Sequence, residues 1–256
     1  MPNTKSPLKA PPLRNPGQSL EKEIIDVVFN EILEKSSIVL IMGFLLFIES
    51  LHYFTGSTPN PITPAFIFVL ACIYSIPKII KAKRKLKSLK QGRDGEKAVG
   101  QYLDSLRSDG FEILHDVVGG EFNLDHIIIS EQGIYTVETK TYSKPDKGKS
   151  NITYKDGHIF KNGADIGDNI VIQAKAQSGW LKELLKDMLG KDYEVKPIIT
   201  FPGWYVETDK SELNTLWALN PKGIGQFIKN QPASLTKEQK KTITYHLSRF
   251  VRNTPL

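Results

Sequence analysis

The residues best equipped for chemistry lie in NLDHIIISEQGIYTVETK, residues 123–140. Ser130–Gly133 has the composition of a four-residue hairpin loop between two apolar runs. In such a hairpin Ile129 faces Ile134, and counting back from the loop sets Asp125 opposite Glu138. Directly opposed residues project from one face, and the strand period of two puts Lys140 on that face with Glu138. Two carboxylates and an ammonium therefore converge. Opposed carboxylates repel, and a divalent cation reverses the sign of that interaction. Magnesium takes one or two protein carboxylates and completes its octahedron with waters and phosphate oxygens. A lysine beside it can orient or help deprotonate an attacking water, or stabilise charge developing on a phosphate. These are the parts of metal-assisted phosphodiester hydrolysis. The same residues also read as an Asp at a strand start and a solvated Glu-x-Lys strand. A register slip of one residue would separate the pair.

The elements that must hold these groups follow from periodicity. Ala98, Val99, Tyr102, Leu103 and Leu106 predict a helix over 94–108. Strands are expected at 111–118, 123–129 and 133–140. Asp156-Gly157, flanked by Thr153-Tyr154 and Ile159-Phe160, signals a second hairpin. A helix should start at an Asp168 N-cap, run to Leu189 and stop at Gly190. Strands at 195–201 and 214–219 and a helix over 223–230 come next. A last helix over 237–252 is announced by Thr236 and Gln239 as a capping box. Residues 94–256 are long enough for a single core. The order of elements predicts an α/β or α+β sandwich with a central mixed β-sheet flanked by helices.

The first third of the chain reads differently. Residues 1–19 hold Pro2, Pro7, Pro11, Pro12 and Pro16 and few large apolar groups, which predicts a disordered tail. No apolar core of a secretory signal follows the start. Residues 20–35 have the spacing of an amphipathic helix, lying on a membrane surface or packed on the protein. Two apolar runs, 36–54 and 62–80, each approach the ~20 residues that span a bilayer. With the short turn-rich linker 55–61 they predict a transmembrane helical hairpin over 36–80. Buried core helices are the alternative.

The net charge of +6 invites a nucleic-acid or membrane-surface reading until it is located. Residues 81–93 carry seven Lys or Arg and no acid, whereas 94–256 carry 21 basic and 22 acidic groups. The excess is a basic juxtamembrane stalk. The hairpin loop 55–61 has neither Lys nor Arg, so the positive-inside rule places both termini and 94–256 in the cytoplasm. One cysteine, Cys72, excludes an intrachain disulfide framework and a cysteine zinc cluster.

GRDGEKAVGQYL, NLDHIII, GIYTVETK and DNIVIQAKAQ, in that order, resemble the nuclease-related domain of the PD-(D/E)xK nuclease superfamily. The resemblance covers roughly residues 92–200. It implies a restriction-endonuclease-like core and DNA as the substrate. It implies Asp125 and Glu138 as metal ligands for magnesium or manganese, and Lys140 as the catalytic lysine. Glu96 matches the superfamily's frequent extra acid, and Gln173 the family's downstream glutamine. Asn169-Ile170 stands where the family has Asn-Pro, and Thr141-Tyr142 leads into a lysine-rich loop.

Other residues are weaker candidates. His126 alternates away from Asp125 and is expected to pack or to contact backbone. His115, His158 and His246 have no metal-ligand spacing. Asn169 is expected to cap or pack. Trp180 belongs with Leu181, Leu184 and Leu185, while Trp204 and Trp217 could stack on bases. Lys144, Lys147 and Lys149 could contact phosphates or form a solvated loop. The sequence thus predicts a membrane-anchored, magnesium-dependent DNA nuclease. A catalytically weak, membrane-tethered nucleic-acid-binding or scaffold protein is the alternative, and a protein-binding membrane protein a third reading.

Overall fold

The computed structural model describes residues 10–56, 61–120, 122–146, 148 and 150–255. The chain divides into two compact units, Ser19–Gln91 and a second made of Met1–Gln18 with Gly92–Leu256.

In the first unit, α1 (Gln18–Asp26), a π-helical stretch (Val27–Leu33) and α2 (Glu34–Phe54) form one uninterrupted helix. No Gly or Pro interrupts the sequence between Gln18 and Gly43, so nothing separates the expected 20–35 helix from the first apolar run. Helix α3 (Ile62–Ser105) is likewise continuous through Pro77 and the basic stretch 81–93. That stretch is therefore helical, and α3 also contains most of the helix expected over 94–108. Both helices, Gln18–Phe54 and Ile62–Asp109, are long and apolar enough to cross a membrane, with stretches of mean hydropathy 1.8. Their apolar side chains point outward, Leu40 at 72% and Ile62 at 73% exposure. Gly43 permits close approach of the two, since a Cβ there would lie 3.2 Å from the Phe68 ring. Residues 57–60 of the expected linker lie outside the described residues.

The second unit is built on a five-stranded sheet of order β1-β2-β3-β7-β9. Its strands are β1 (Glu112–Val118), β2 (Asn123–Ser130), β3 (Gly133–Thr139), β7 (Val195–Thr200) and β9 (Trp217–Leu219). The first three are antiparallel, while β7 and β9 add in parallel. Parallel addition needs a crossover, which helix α4 (Asn169–Leu189) supplies. Alternation sorts the side chains between two faces. Ile128, Tyr135, Val137 and Ile198 pack with Val99 and Leu103 of α3 and with Ile224 and Ile228 of α5 (Pro221–Lys229). Leu124, Ile127, Ile129 and Ile134 pack with Leu181 and Leu185 of α4 and with Ile243 and Leu247 of α6 (Lys237–Asn253). The central mixed sheet flanked by helices is the architecture expected.

A second sheet, of order β6-β5-β4-β8, lies between β3 and α4 in sequence except for its last strand. It comprises β4 (Asn151–Lys155), β5 (His158–Lys161), β6 (Ala164–Asp165) and β8 (Tyr205–Thr208). The Asp156-Gly157 turn has φ of 50° and 76°, the left-handed pair a two-residue hairpin requires. The capping box at Thr236 and Gln239 is present, and Gly190 ends α4 in the left-handed region.

Several local expectations need correction. Strand β9 is shorter than 214–219, because Thr215 and Leu216 close a turn on Glu212. Strands β6 and β8 were not foreseen. Trp204 and Trp217 are 1% and 2% exposed, so neither ring can stack on a base. Residues 10–18 do not behave as the expected tail. Arg14 is 8% exposed, Leu13 packs on the core that α4 and α6 share, and Arg14 donates to the backbone carbonyls of Asp116 and Thr254. Long-range docking of two side chains outweighs the composition of the segment. Residues 1–9 lie outside the described residues.

Candidate active site

The β2–β3 register is the one counted from the loop. Ser130 pairs with Gly133, Ile129 with Ile134 and His126 with Val137. The next step of that register aligns Asp125 with Glu138. There the regular ladder gives way to a side-chain bond, with Asp125 Oδ2 accepting from Thr139 N at 2.6 Å. Strand alternation sets both carboxylates toward the α4 face. Glu138 is 3% exposed, and Asp125 is half-buried.

Helix α4 supplies the partners of Glu138. Gln173 and Gln177 stand one helical turn apart on one face. Gln173 Nε2 donates to Glu138 Oε1 at 2.9 Å, and Gln177 Nε2 donates to Oε2 at 2.7 Å and to Asn123 O at 3.0 Å. Lys140 Nζ donates to Glu138 Oε1 at 2.5 Å and to Gln173 Oε1 at 3.1 Å. Lys140 itself is anchored through its backbone, whose N–H donates to Thr200 O. Gln173 is exposed, whereas Gln177 is 2% exposed.

Glu96 comes from the other side, on α3. Burial first, and then the charges of Asp116 and Glu138, push its carboxyl up to about 8. Burial likewise raises Asp125 well above the usual range, reinforced by Glu138 and Glu96 and opposed by the Thr139 N–H and by Lys140. Burial acts to lower the Lys140 ammonium, but the Glu138 and Asp125 charges more than reverse it, so Lys140 is held above its usual value. The site is thus an excess of carboxylate around one ammonium. Glu96 and Asp125 hold a proton more readily than ordinary carboxyls, and a cation bound there would displace it.

The structure brings together all five residues expected at the site, Glu96, Asp125, Glu138, Lys140 and Gln173. Two more were missed. Gln177 carried a legible signal, since it lies one turn beyond Gln173. Asp116 did not. The β1–β2 register pairs His115 with His126 and Val117 with Leu124, so Asp116 aligns with Asp125. Asp116 leaves the ladder at φ 52° and is 1% exposed, and its charge reaches Glu96. A non-glycine residue held in that region is strained and needs surrounding structure to keep it there.

Behind the site, His126 faces away from Asp125 as expected, but its partner is a side chain. His126 Nδ1 lies 2.9 Å from His115 Nδ1, and His115 Nε2 lies 3.1 Å from Asp104 Oδ1. Burial lowers both rings from their ordinary value; for His126 the neighbouring His115 adds to this, and for His115 Asp104 opposes it. With both rings neutral, Nε2–H of His115 donates to Asp104 and Nδ1–H of His126 donates to His115. That leaves His126 Nε2 toward Thr139 Oγ1, 3.5 Å away. Asn169 is exposed and outside the cluster, and so is Lys144. Lys147 and Lys149 lie outside the described residues.

A divalent cation can be tested against this donor set. Among the described residues no three His, Cys, Asp or Glu side chains close round one point. What the site offers is two aligned carboxylates, Asp125 and Glu138, beside a third acid. That fits magnesium, which needs only one or two protein carboxylates, better than a metal that demands a full protein cage.

Residues 91–202 match the family model described as nuclease-related domain. A similar curated protein is an uncharacterized protein of Bacillus anthracis, 39% identical over 57 residues. The match takes in 20% of this chain and 27% of that protein's length. No solved structure matches. The match over 91–202 supports the nuclease-related domain resemblance and contains all seven residues of the cluster.

Proposed function

We propose that this chain is a membrane-anchored nuclease, facing the cytoplasm, that hydrolyses DNA phosphodiester bonds with magnesium or manganese. The observation that supports it most is the convergence of Asp125, Glu138 and Lys140, with Glu96 beside them, inside the stretch that matches the nuclease-related domain. Asp125 and Glu138 would hold the cation, with Glu96 supporting it directly or through water. When bound, the cation supplies charge neutralisation at the phosphate and polarisation of the attacking water. Lys140 orients that water and stabilises the charge that builds on the phosphate oxygens. Gln173, exposed and bonded to both Glu138 and Lys140, positions water or substrate. Gln177 fixes the Glu138 rotamer from below.

The membrane part of the reading rests on two long apolar helices and on charge. Seven cationic residues follow the second apolar run and none lies in the 55–61 loop. The same basic stretch suits an anionic lipid surface.

The test is cleavage of supercoiled plasmid by the full chain in detergent, with magnesium or with chelator. Wild type should cleave only with the cation, and Glu138→Ala and Lys140→Ala should each lose at least ~10²-fold in rate, the scale of losing one transition-state contact. Cleavage that persists in both variants would remove the site from the reaction. A second reading has one observation in its favour: residues 94–256 carry no excess positive charge. Retention of DNA with no cleavage under any divalent cation would select that tethered, catalytically weak scaffold instead.

A further inference from the structure

Three features of the second unit lie outside the reading above: a cavity of about 410 Å³ lined by Gln132, Tyr135, Lys196 and Gln231, the buried His115–His126 pair, and the docked segment 10–18. Nothing about the cavity specifies a ligand, and the histidines are buried and neutral. The docked segment, by contrast, touches both structures that carry the outer acids of the site.

Its contacts are specific. Arg14 Nη1 donates to the carbonyl of Asp116 at 2.7 Å, and its Nη2 donates to the carbonyl of Thr254 after α6. Asp116 is the strained residue that the β1–β2 register aligns with Asp125. Pro16 lies on Gly100, one turn beyond Glu96 on α3. A Cβ at Gly100 would come within 2.5 Å of Pro16 Cγ, so only glycine admits this contact. Gly17 lies against Arg93, on the turn before Glu96. The segment therefore brackets Glu96 along the helix and grips the backbone of the residue aligned with Asp125. A buried guanidinium needs compensation. Here two carbonyls and the Asp116 charge provide it, so the strap and the bulge of β1 depend on one another.

We propose that residues 10–18 form a strap that sets the catalytic geometry, with Arg14 as a positioning residue acting through Asp116 on the strand that holds Asp125, and Pro16 seating the turn of α3 beyond Glu96. Its effect on the reaction rests on the nuclease reading; the docking of the strap does not. One consequence concerns architecture. The chain leaves the catalytic unit at Gln18 and re-enters it at Gly92, so the intervening apolar unit is tied to that unit at both ends. A fragment beginning at residue 94 lacks the strap.

The test uses the full chain in detergent with four variants: Arg14→Ala, Arg14→Lys, Gly100→Ala, and Gly100→Ala combined with Pro16→Gly. Gly100→Ala unseats the strap from the helix side without touching Arg14, and Pro16→Gly makes room for the added methyl. Two readouts are taken. Tryptic cleavage after residue 14, followed by mass spectrometry, reads docking. The rate of magnesium-dependent plasmid cleavage at saturating and limiting DNA reads catalysis. Gly100→Ala should raise tryptic cleavage after Arg14 at least tenfold and lower kcat at least tenfold, with KM for DNA changed less than twofold. The double variant should recover both. Arg14→Ala should lower kcat similarly, and Arg14→Lys, which keeps one of two bonds, should fall between. A strap unseated by the protease criterion with kcat unchanged overturns the positioning role. Protection in Gly100→Ala equal to wild type overturns the strap itself. A wild type that cleaves no DNA overturns the nuclease reading and the positioning role with it, while the protease readout still decides the strap.

Discussion

Glu96→Gln offers the most quantitative check on the electrostatics of the site. In the cation-free protein, burial and the charges of Asp116 and Glu138 hold Glu96 at about 8 against an ordinary 4.5. Between those values the folded state binds a proton that the unfolded chain has released, so stability falls as pH rises through that window. Below about 4.5 both states are protonated, and above about 8 both have lost the proton, so the effect is flat outside it. At 1.36 kcal/mol per pH unit the full window corresponds to about 5 kcal/mol. Glu96 is half-buried rather than sealed, and solvent relaxation reduces this to about 2–4 kcal/mol. The glutamine keeps the shape and removes the charge. It should therefore match wild type near pH 4.5, gain steadily to pH 8, and stay ahead by about 5–15 °C in melting temperature above it. The assay is thermal melting of the full chain with chelator, followed by tryptophan fluorescence. All three tryptophans, Trp180, Trp204 and Trp217, lie in the unit that carries the carboxylate cluster, so the signal reports that unit. Subtracting wild type from variant at each pH largely cancels the other titrations. Magnesium at pH 8.5 should stabilise wild type more than the variant, because it binds the folded state. Parallel melting curves for the two proteins from pH 5 to 9 would refute this electrostatic picture.

Gln177→Ala removes the buried donor to Glu138 Oε2 and Asn123 O, which should cost about 1–3 kcal/mol in a denaturant titration, while loss of the exposed Gln173 amide costs less. His126 is buried and held below its ordinary value, so the unfolded chain gains a proton first as pH drops; stability should fall below about pH 6.5, and a His126→Gln variant should show a shallower fall in acid melts. Ile128→Ala empties a site of 0% exposure between the sheet and α3, with an expected loss of about 2–5 kcal/mol by the same denaturant titration. Vesicles of defined orientation test the topology. Protease added on the cytoplasmic side should digest residues 81–256, and protection there would reverse the orientation.

The centre of the site was legible because it is local. The Ser130–Gly133 loop fixes the β2–β3 register within a few residues, and period two does the rest, so Asp125, Glu138 and Lys140 could be placed by counting. Helix α4 was legible from Gly190 and its apolar spacing, and Gln177 was one turn away from being read with Gln173. The helical start of the site was partly hidden, since Glu96 lies in a helix that begins at Ile62 and shows no break at the basic stretch. Asp116 was illegible for two reasons. Its alignment depends on the β1–β2 register across residues 119–122, where Gly119-Gly120 marks a turn but a four-residue connection leaves the pairing open, and its φ of 52° takes it out of the alternation that strand counting assumes. Strand β8 depends on parallel pairing with β4 across some fifty residues, which no local pattern encodes. Residues 10–18 are the clearest failure of composition as a guide. Prolines and a scarcity of large apolar groups predict disorder on average, yet one arginine with two carbonyl acceptors and one proline on a glycine dock the segment.

In the proposed reaction Asp125 and Glu138 hold the cation at which DNA is cut. Anomalous diffraction from crystals of the full chain soaked in manganese addresses it directly. One manganese peak contacting an oxygen of each carboxylate is expected, and it should be lost in Asp125→Asn. A peak elsewhere, or none at that site in a protein that cleaves DNA with manganese, would contradict it.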